Sequence, residues 1–176
     1  MPETLWEVRK IAPKTVMINF YGDDDTVFDY YSRYYMLFFD YYLAVPQLPE
    51  EYYRKEGIKN VFFTAGVNIH HFRPLNREKK YDVTFIGTPK ADRYEYIKFL
   101  RDQGINVRVF GWGWHHYPEL KEINGGALSD QEFLEVTSES KINICFTKNY
   151  EGKPHWKGRV FEIGACKSFI LVEYSP

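Results

Sequence analysis

Short apolar runs alternate along this chain with segments of helical spacing. β-Strands are predicted over residues 14–20, 40–45, 60–64, 81–86, 106–110, 141–146 and 168–172. Helices are predicted between them over residues 26–37 and 49–56, from 89 to a stop at 104, and over 129–138 and 158–166. Strands joined through helices run parallel, and helices cover both faces of a parallel sheet. The sequence therefore predicts an α/β fold with Rossmann-like parallel sheets.

Local signals mark the ends of several predicted helices. Ser129 is followed three residues later by Glu132, which is the capping-box spacing of a helix start. Gly57 and Gly104 each follow a helical run, as is typical of a C-terminal stop. Pro89 suits the first turn of a helix, because an N–H there has no intrahelical partner.

A polar run at residues 76–80 divides the predicted strands into three before it and four after it. We therefore predict two domains, over residues 1–74 and 75–176. A complete doubly wound sheet usually has five or six strands, so both domains are expected to be incomplete. The chain is then a fragment or a reduced relative of a larger protein. Incomplete sheets would expose apolar surface, which a homo-oligomer could cover.

Charge and composition exclude some classes of protein. The 176 residues carry a formal net charge of −1, so there is no overall basic field to hold nucleic acid. No cationic leader is seen, and no apolar run approaches the roughly 18 residues of a membrane span. Cys145 and Cys166 lie in apolar runs and are expected to be buried free thiols in the cytoplasm. The spacing of histidines and cysteines predicts no metal site.

Residues 156–166 are the strongest candidate for a binding site. Lys157 and Arg159 flank Gly158 at the predicted start of a helix, where exposed N–H groups and the helix dipole favour an anion. Arg159 is the preferred phosphate ligand, because its planar fork matches phosphate oxygens. Glu162 lies one turn later, where it can reach a ribose hydroxyl. The alternative interpretation is an ordinary amphipathic helix with its charges in water.

Further candidates follow the strands of the second domain, because open α/β sheets bind ligands at the carboxyl ends of their strands. Gly87 would let the backbone approach a diphosphate closely, and Thr88 would donate to a phosphate or cap a helix. Alternatively, both residues serve only the turn. The pocket rim is predicted to include bulky side chains from the loops, which are Trp112, His115, His116 and Trp156. Alternatively, Trp112, His115 and His116 only fill a solvated turn.

The order of four segments resembles that of glycosyltransferases with the two-domain GT-B fold. Residues 157–176 resemble the donor-sugar motif, and residues 81–87 resemble the first strand and glycine turn of the donor domain. Residues 66–74 resemble the interdomain hinge, and residues 30–42 resemble the helix and strand before it. The likeness is greatest to the group-1 branch that includes the spore-maturation CgeB-like proteins.

The resemblance implies transfer of a sugar from a UDP-, GDP- or dTDP-sugar to an unknown acceptor, which would be a glycan, a protein or a lipid-linked molecule. Residues 1–74 would belong to the acceptor-side domain and residues 75–176 to the donor-binding domain. No metal or other cofactor is implied, and the catalytic base would lie in sequence that this chain lacks. The implied donor-binding residues are Gly87, Thr88, Lys157, Gly158, Arg159 and Glu162.

The sequence departs from that family pattern in two places. Many relatives have a second glutamate eight positions before the ribose-binding one, where this chain has Pro154. Lys167 stands where a glycine often follows the Ala-Cys pair, so a lysine occupies the turn after the helix. The first departure favours an alternative function, a non-catalytic module that binds a nucleotide or a partner protein.

A third possibility rests on Asp23 and Asp25, which form an Asp-x-Asp pair after the first predicted strand. In another class of glycosyltransferase, such a pair holds a divalent cation that bridges the phosphates of the sugar nucleotide. The same residues precede a predicted helix, so helix capping and favourable dipole charge also explain them.

Overall fold

The computed structural model describes residues 2–45, 48–149 and 151–174, and within them the predicted α/β class is confirmed. The chain divides into two compact units, Met1–Ala65 and Gly66–Pro176. The first unit contains a sheet of three parallel strands and the second a sheet of four. Ser175 and Pro176, the last residues of the segment that resembles a donor motif, lie outside the described residues.

The first unit begins with helix α1 (Pro2–Ile11), for which the sequence analysis predicts no element. Its sheet has the order β1-β2-β3, from strands β1 (Ile18–Tyr21), β2 (Tyr41–Ala44) and β3 (Val61–Phe63). Helix α4 (Glu50–Lys55) connects the last two strands.

The connection between β1 and β2 is helical, but it is not the regular helix predicted over residues 26–37. It consists of α2 (Asp24–Val27), a π-helical turn (Phe28–Ser32), α3 (Arg33–Tyr35) and a 3₁₀ turn (Met36–Phe38). Phe28 and Met36 are the residues of this connection that enter the core of the unit. The helical spacing of aromatic residues in the sequence marks a different face, on which Tyr34 is exposed.

Asp24 is almost fully buried in this first unit. Its two carboxylate oxygens accept hydrogen bonds from the hydroxyls of Tyr42, at 3.0 Å, and Tyr53, at 2.7 Å. Burial, together with this carboxylate, holds the pKa of both tyrosines well above their ordinary value of 10. Asp23 occupies the N-cap position of α2 without a side-chain capping hydrogen bond. Among the described residues, no three His, Cys, Asp or Glu side chains are placed to hold a metal ion.

The other face of the first sheet is apolar and exposed. The pairing register places Ile18 beside Tyr41 and Phe20 beside Leu43, which in turn pairs with Phe62. Because paired residues of parallel strands share a face, these five side chains form one surface. All of them except the partly buried Leu43 are exposed.

The second unit alternates strands and helices. Its elements are β4 (Tyr81–Ile86), α5 (Arg93–Asp102), β5 (Val107–Phe110), two 3₁₀ segments (Trp114–His116 and Pro118–Ile123), α6 (Asp130–Glu139), β6 (Ser140–Cys145), α7 (Gly158–Ala165) and β7 (Ile170–Val172). The strand order is β5-β4-β6-β7, so the chain continues to one side of β4 and then to the other. The order therefore reverses between β4 and β6. In open α/β sheets, the carboxyl edge at such a switch point is where ligands bind.

Polar side chains connect the centre of this sheet to α6. Thr84 in β4 is fully buried, and its hydroxyl lies 2.8 Å from Ser140 Oγ and 3.1 Å from Asn143 Oδ1, both in β6. The Ser140 hydroxyl donates to the carbonyl of Val136 in α6. A shift in the β4–β6 register would leave these buried groups without partners, so the contacts help to specify the pairing.

The predicted capping box is present at the start of α6. The Glu132 N–H donates to Ser129 Oγ at 3.3 Å, and the Ser129 N–H donates to the Glu132 carboxylate at 2.7 Å. The helix predicted to start at Pro89 instead starts at Arg93, so that prediction was wrong in its boundary. Ala91 has a φ of 53°, which interrupts helical geometry between the proline and the helix.

Two helices of the second unit end in the same hydrogen-bonded turn. After α5, the Gly104 N–H donates to Arg101 O and the next N–H donates to Leu100 O. After α7, the Lys167 N–H donates to Gly164 O and the next N–H donates to Ile163 O. This Schellman arrangement needs a residue with positive φ, and φ is 77° at Gly104 and 52° at Lys167. A lysine therefore occupies a position that favours glycine.

We expect Lys167→Gly to stabilise the protein. A side chain in the left-handed region costs about 1–2 kcal/mol, and the larger backbone entropy that glycine loses on folding offsets part of the gain. The free energy of unfolding in urea should rise by roughly 1 kcal/mol. The reciprocal variant Gly104→Lys, at the matching turn, should lose a similar amount. Equal stability of Lys167→Gly and the parent chain would contradict this account of the turn.

Candidate ligand pocket at the carboxyl edge of the second sheet

A cavity of about 340 Å³ lies at the carboxyl edge of the second sheet. Its walls come from the ends of β4 and β5, the loop before α6, and the first turns of α6 and α7. The lining residues are Phe72, Ile86, Gly87, Thr88, Gly111, Trp112, Ala127, Leu128, Ser129, Asp130, Phe133, Arg159 and Glu162. The cavity therefore occupies the part of the fold where the strand order predicts a ligand.

Two glycines form the part of the wall that follows β4 and β5. The Gly87 N–H donates to the carbonyl of Phe110 at 2.8 Å, and the Gly87 carbonyl accepts from the Trp114 indole at 2.7 Å. Gly111 has a φ of 123°, and a Cβ on it would lie 2.6 Å from the Gly87 carbonyl oxygen. A Cβ on Gly87 would lie 2.7 Å from the Phe85 ring. Packing within the protein therefore accounts for both glycines, whether or not a ligand approaches them.

Arg159 and Glu162 form an ion pair one turn apart in α7. Arg159 Nη1 lies 2.7 Å from Glu162 Oε2, and the two side chains are partly buried, with exposed fractions of 36% and 25%. The Oε2 atom itself is buried and, within the described part of the chain, it accepts no well-directed hydrogen bond. The contact is therefore held by charge rather than by hydrogen-bond geometry.

The Arg159 guanidinium is also supported by an aromatic ring. Its central carbon lies 4.3 Å from the centroid of Phe133, which is buried in the first turns of α6. Phe133 packs edge to face against Phe72, with ring centroids 5.7 Å apart. A cation over an aromatic face within about 6 Å is attracted by the ring quadrupole. The two rings therefore fix the position of this cation at the pocket.

The structure brings half of the ten predicted site residues to this cavity, and they are Gly87, Thr88, Trp112, Arg159 and Glu162. Lys157 is the N-cap of α7, and Gly158 is its first residue. Trp156 stacks on Phe161, with centroids 5.8 Å apart. His115 and His116 are exposed and pack on each other, with centroids 4.0 Å apart. These other five residues are not part of the lining.

Several lining residues are absent from the sequence-based prediction. The sequence pattern indicates only a helix cap at Ser129 and only part of a hinge at Phe72. It gives Leu128, Asp130 and Phe133 no role in a site. A signal was available, because the capping box begins a helix that follows β5, whose carboxyl end is at the ligand edge. The first turn of α6 must therefore return to that edge.

Burial makes Cys145 a poor nucleophile. It raises the pKa of the Cys145 thiol from an ordinary 9.0 to about 11, although Arg159, Arg93 and Lys157 each act to lower it. Burial also raises the pKa of Cys166. Both cysteines are free and buried, as the sequence predicted. At neutral pH the Cys145 side chain remains a thiol, and only the thiolate attacks a substrate efficiently.

These features define a Rossmann-like α/β domain with a crevice at its strand-order reversal. Residues 70–176 match the sequence model of a family described as glycosyl transferase-like. The match covers more than half of the chain, and this protein therefore belongs to the glycosyl transferase-like family. The matched region contains every residue that lines the cavity. A search of curated proteins found no match to the chain.

Family membership confirms the resemblance to glycosyltransferases at the level of the family, and it supports glycosyl transfer as the general activity. A separate finding concerns membranes. None of the helices in residues 2–45, 48–149 and 151–174 has both the length and the apolar character to cross a bilayer.

Proposed function

We propose that this cavity binds the nucleotide of a sugar nucleotide, and that the protein is part of a GT-B glycosyltransferase of the CgeB-like branch. The observation that carries the proposal is the position of Arg159 and Glu162. They line the same cavity as Gly87 and Thr88, at the switch point of a parallel sheet. A cation and a carboxylate are the two groups that would recognise a phosphate and a ribose hydroxyl.

The size and the walls of the cavity support this ligand class. A volume of about 340 Å³ lies within the range of small-molecule sites, which begins near 300 Å³. Arg159 can pair with a phosphate through two N–H groups. The cavity also contacts the first turns of α6 and α7, whose backbone N–H groups and dipoles favour an anion.

The proposed chemistry is electrostatic. When the sugar is transferred, negative charge develops on the departing nucleoside diphosphate. Arg159 would stabilise that charge, with Lys157 adding positive charge at the start of α7. These protein cations would serve the purpose of a divalent metal, so we propose metal-independent binding. The first unit would then belong to the acceptor side, and the acceptor itself would be a glycan, a protein or a lipid-linked molecule.

Calorimetric titration of the purified chain with UDP, GDP and dTDP tests the proposal. We expect one nucleoside diphosphate to bind, with the same affinity in EDTA and in magnesium. The corresponding monophosphate should bind more weakly, because it offers fewer oxygens to Arg159. A folded chain that binds none of the three would contradict the proposal. Binding only with magnesium would favour the Asp-x-Asp alternative.

Pro154 favours the second candidate, a non-catalytic module, because many of the glycosyltransferases that this sequence resembles have a glutamate at that position. Release of nucleoside diphosphate from the matching sugar nucleotide distinguishes the two functions. Turnover would support a transferase, whereas binding without turnover in the presence of candidate acceptors would support the module.

A further inference from the structure

We propose that Arg159 and Glu162 act as an exchange pair that selects ligands carrying a phosphate and a hydroxyl group in one molecule. In the ion pair, Glu162 neutralises Arg159 and competes with any anion. A nucleoside diphosphate separates the pair and provides a new partner for each side chain. Inorganic pyrophosphate provides only one of the two. This inference rests on the proposed function, and it adds a reason for selectivity among phosphate ligands.

The first support is the geometry of the ion pair. Glu162 Oε2 is buried 2.7 Å from Arg159 Nη1 and makes no well-directed hydrogen bond within the described residues. Its partner oxygen, Oε1, lies 3.9 Å from the position of a Cβ built on Gly158, the first residue of α7. The carboxylate therefore occupies the guanidinium that a phosphate would use, and it lies beside the first residue of the helix.

The second support is that Arg159 does not depend on Glu162 alone for its position. The ring of Phe133 lies 4.3 Å from the guanidinium carbon and is itself fixed by Phe72. When Glu162 is replaced by a neutral residue, the guanidinium should remain over this ring. The cation would then be available to an anion without competition.

The energetic consequence differs between ligands. Pyrophosphate must take Arg159 from Glu162 and leave a buried carboxylate oxygen without a partner, which is costly. A nucleoside must draw Glu162 away from Arg159 and leave the cation without a partner. A nucleoside diphosphate replaces the ion pair with one phosphate contact and one hydroxyl contact. Glu162 therefore weakens the binding of pyrophosphate and strengthens the binding of the nucleotide.

Calorimetry on Glu162→Gln tests the exchange, with pyrophosphate and with the nucleoside diphosphate that binds the parent chain. We expect the variant to bind pyrophosphate about tenfold more tightly than the parent, because it lacks the carboxylate that competes for Arg159. The ratio of nucleotide affinity to pyrophosphate affinity should fall by about tenfold or more. Unchanged or weaker pyrophosphate binding would overturn the proposal.

Glu135→Gln is the matched control, because it removes the same charge from an acid paired with Arg77 at 2.9 Å, away from the lining residues. Its pyrophosphate affinity should equal that of the parent. Glu162→Ala is a second variant that should also bind pyrophosphate more tightly. If the parent binds no nucleotide, the proposed function itself fails. If the parent binds a nucleotide but neither Glu162 variant gains affinity for pyrophosphate, only the exchange fails.

Discussion

Gly111→Ala is expected to destabilise the second unit by about 3 kcal/mol or more. The positive φ of 123° alone costs a side chain on the order of 1–3 kcal/mol. The added Cβ would also lie 2.6 Å from the Gly87 carbonyl oxygen and 3.0 Å from its carbon, and overpacking of this kind costs a further 1–3 kcal/mol or so. The Gly87 backbone cannot yield easily, since that carbonyl also accepts from the Trp114 indole.

Urea unfolding monitored by tryptophan fluorescence measures this effect, because Trp114 is buried at the site of the change. Gly126→Ala is the control, because Gly126 lies next to Gly111 in the structure: its carbonyl accepts a hydrogen bond from the Gly111 N–H. Gly126 has a φ of 79°, but a Cβ there would meet no atom within 4 Å. Gly126→Ala should therefore lower the free energy of unfolding by only about 1–2 kcal/mol. Equal losses for the two variants would show that the contact with Gly87 adds nothing.

Arg159→Ala is expected to reduce the affinity for a nucleoside diphosphate about 100-fold. Truncating one member of a desolvated charge pair costs about 2–5 kcal/mol, and about 2.7 kcal/mol is a factor of 100. The variant also leaves Glu162 without its cation, so the pocket becomes more negative as well as less able to bind phosphate. Calorimetry with the nucleotide that binds the parent chain measures the loss.

Arg77→Ala controls for the removal of a cation from the surface of the same unit. Arg77 is exposed and pairs with Glu135, so nucleotide affinity should remain within about twofold of the parent. Arg159→Lys should fall between the parent and Arg159→Ala, because an ammonium keeps the charge but loses the planar fork and the ring contact. Parent-like affinity in Arg159→Ala would remove this residue from the donor site.

The parts of the fold that the sequence predicted best are those with local causes. β4 was predicted with both of its boundaries, because its apolar run is bounded by charged residues and by Gly87. The capping box at Ser129 was correct because both of its hydrogen bonds lie within four residues. Gly104 was correct as a stop because the turn needs only a residue that tolerates positive φ.

The errors arose where neighbouring elements decide the backbone. Nothing in the sequence near Pro89 indicates that Ala91 takes a φ of 53° and delays helix α5 to Arg93. The connection that contains the π-helical turn Phe28–Ser32 places Phe28 and Met36 in one core, so tertiary packing rather than local propensity decides its backbone. Short-range sequence patterns carry little information about the positive φ at Ala91 or about the π-helical turn.

The predictions for the candidate site also divide into those with local causes and those that depend on tertiary packing. The sequence predicted that Arg159 and Glu162 lie one turn apart and that Gly87 follows a strand, and topology then brings all three to one cavity. Phe133 entered the site through tertiary packing, because it supports Arg159 from a helix more than twenty residues away in sequence. Donor binding by these residues is the proposal that the titrations test.

The polar contacts between β4 and β6 also have a consequence for the order of folding. Thr84 is buried in the central strand, and its hydroxyl contacts Ser140 and Asn143, which are synthesised more than fifty residues later. β4 and β5 can pair in parallel soon after they and α5 are made, but that intermediate leaves the Thr84 hydroxyl without its buried partners. Closing a loop of this length is slow relative to local pairing. During synthesis, the second unit should therefore become protected from proteolysis only after β6 has left the ribosome.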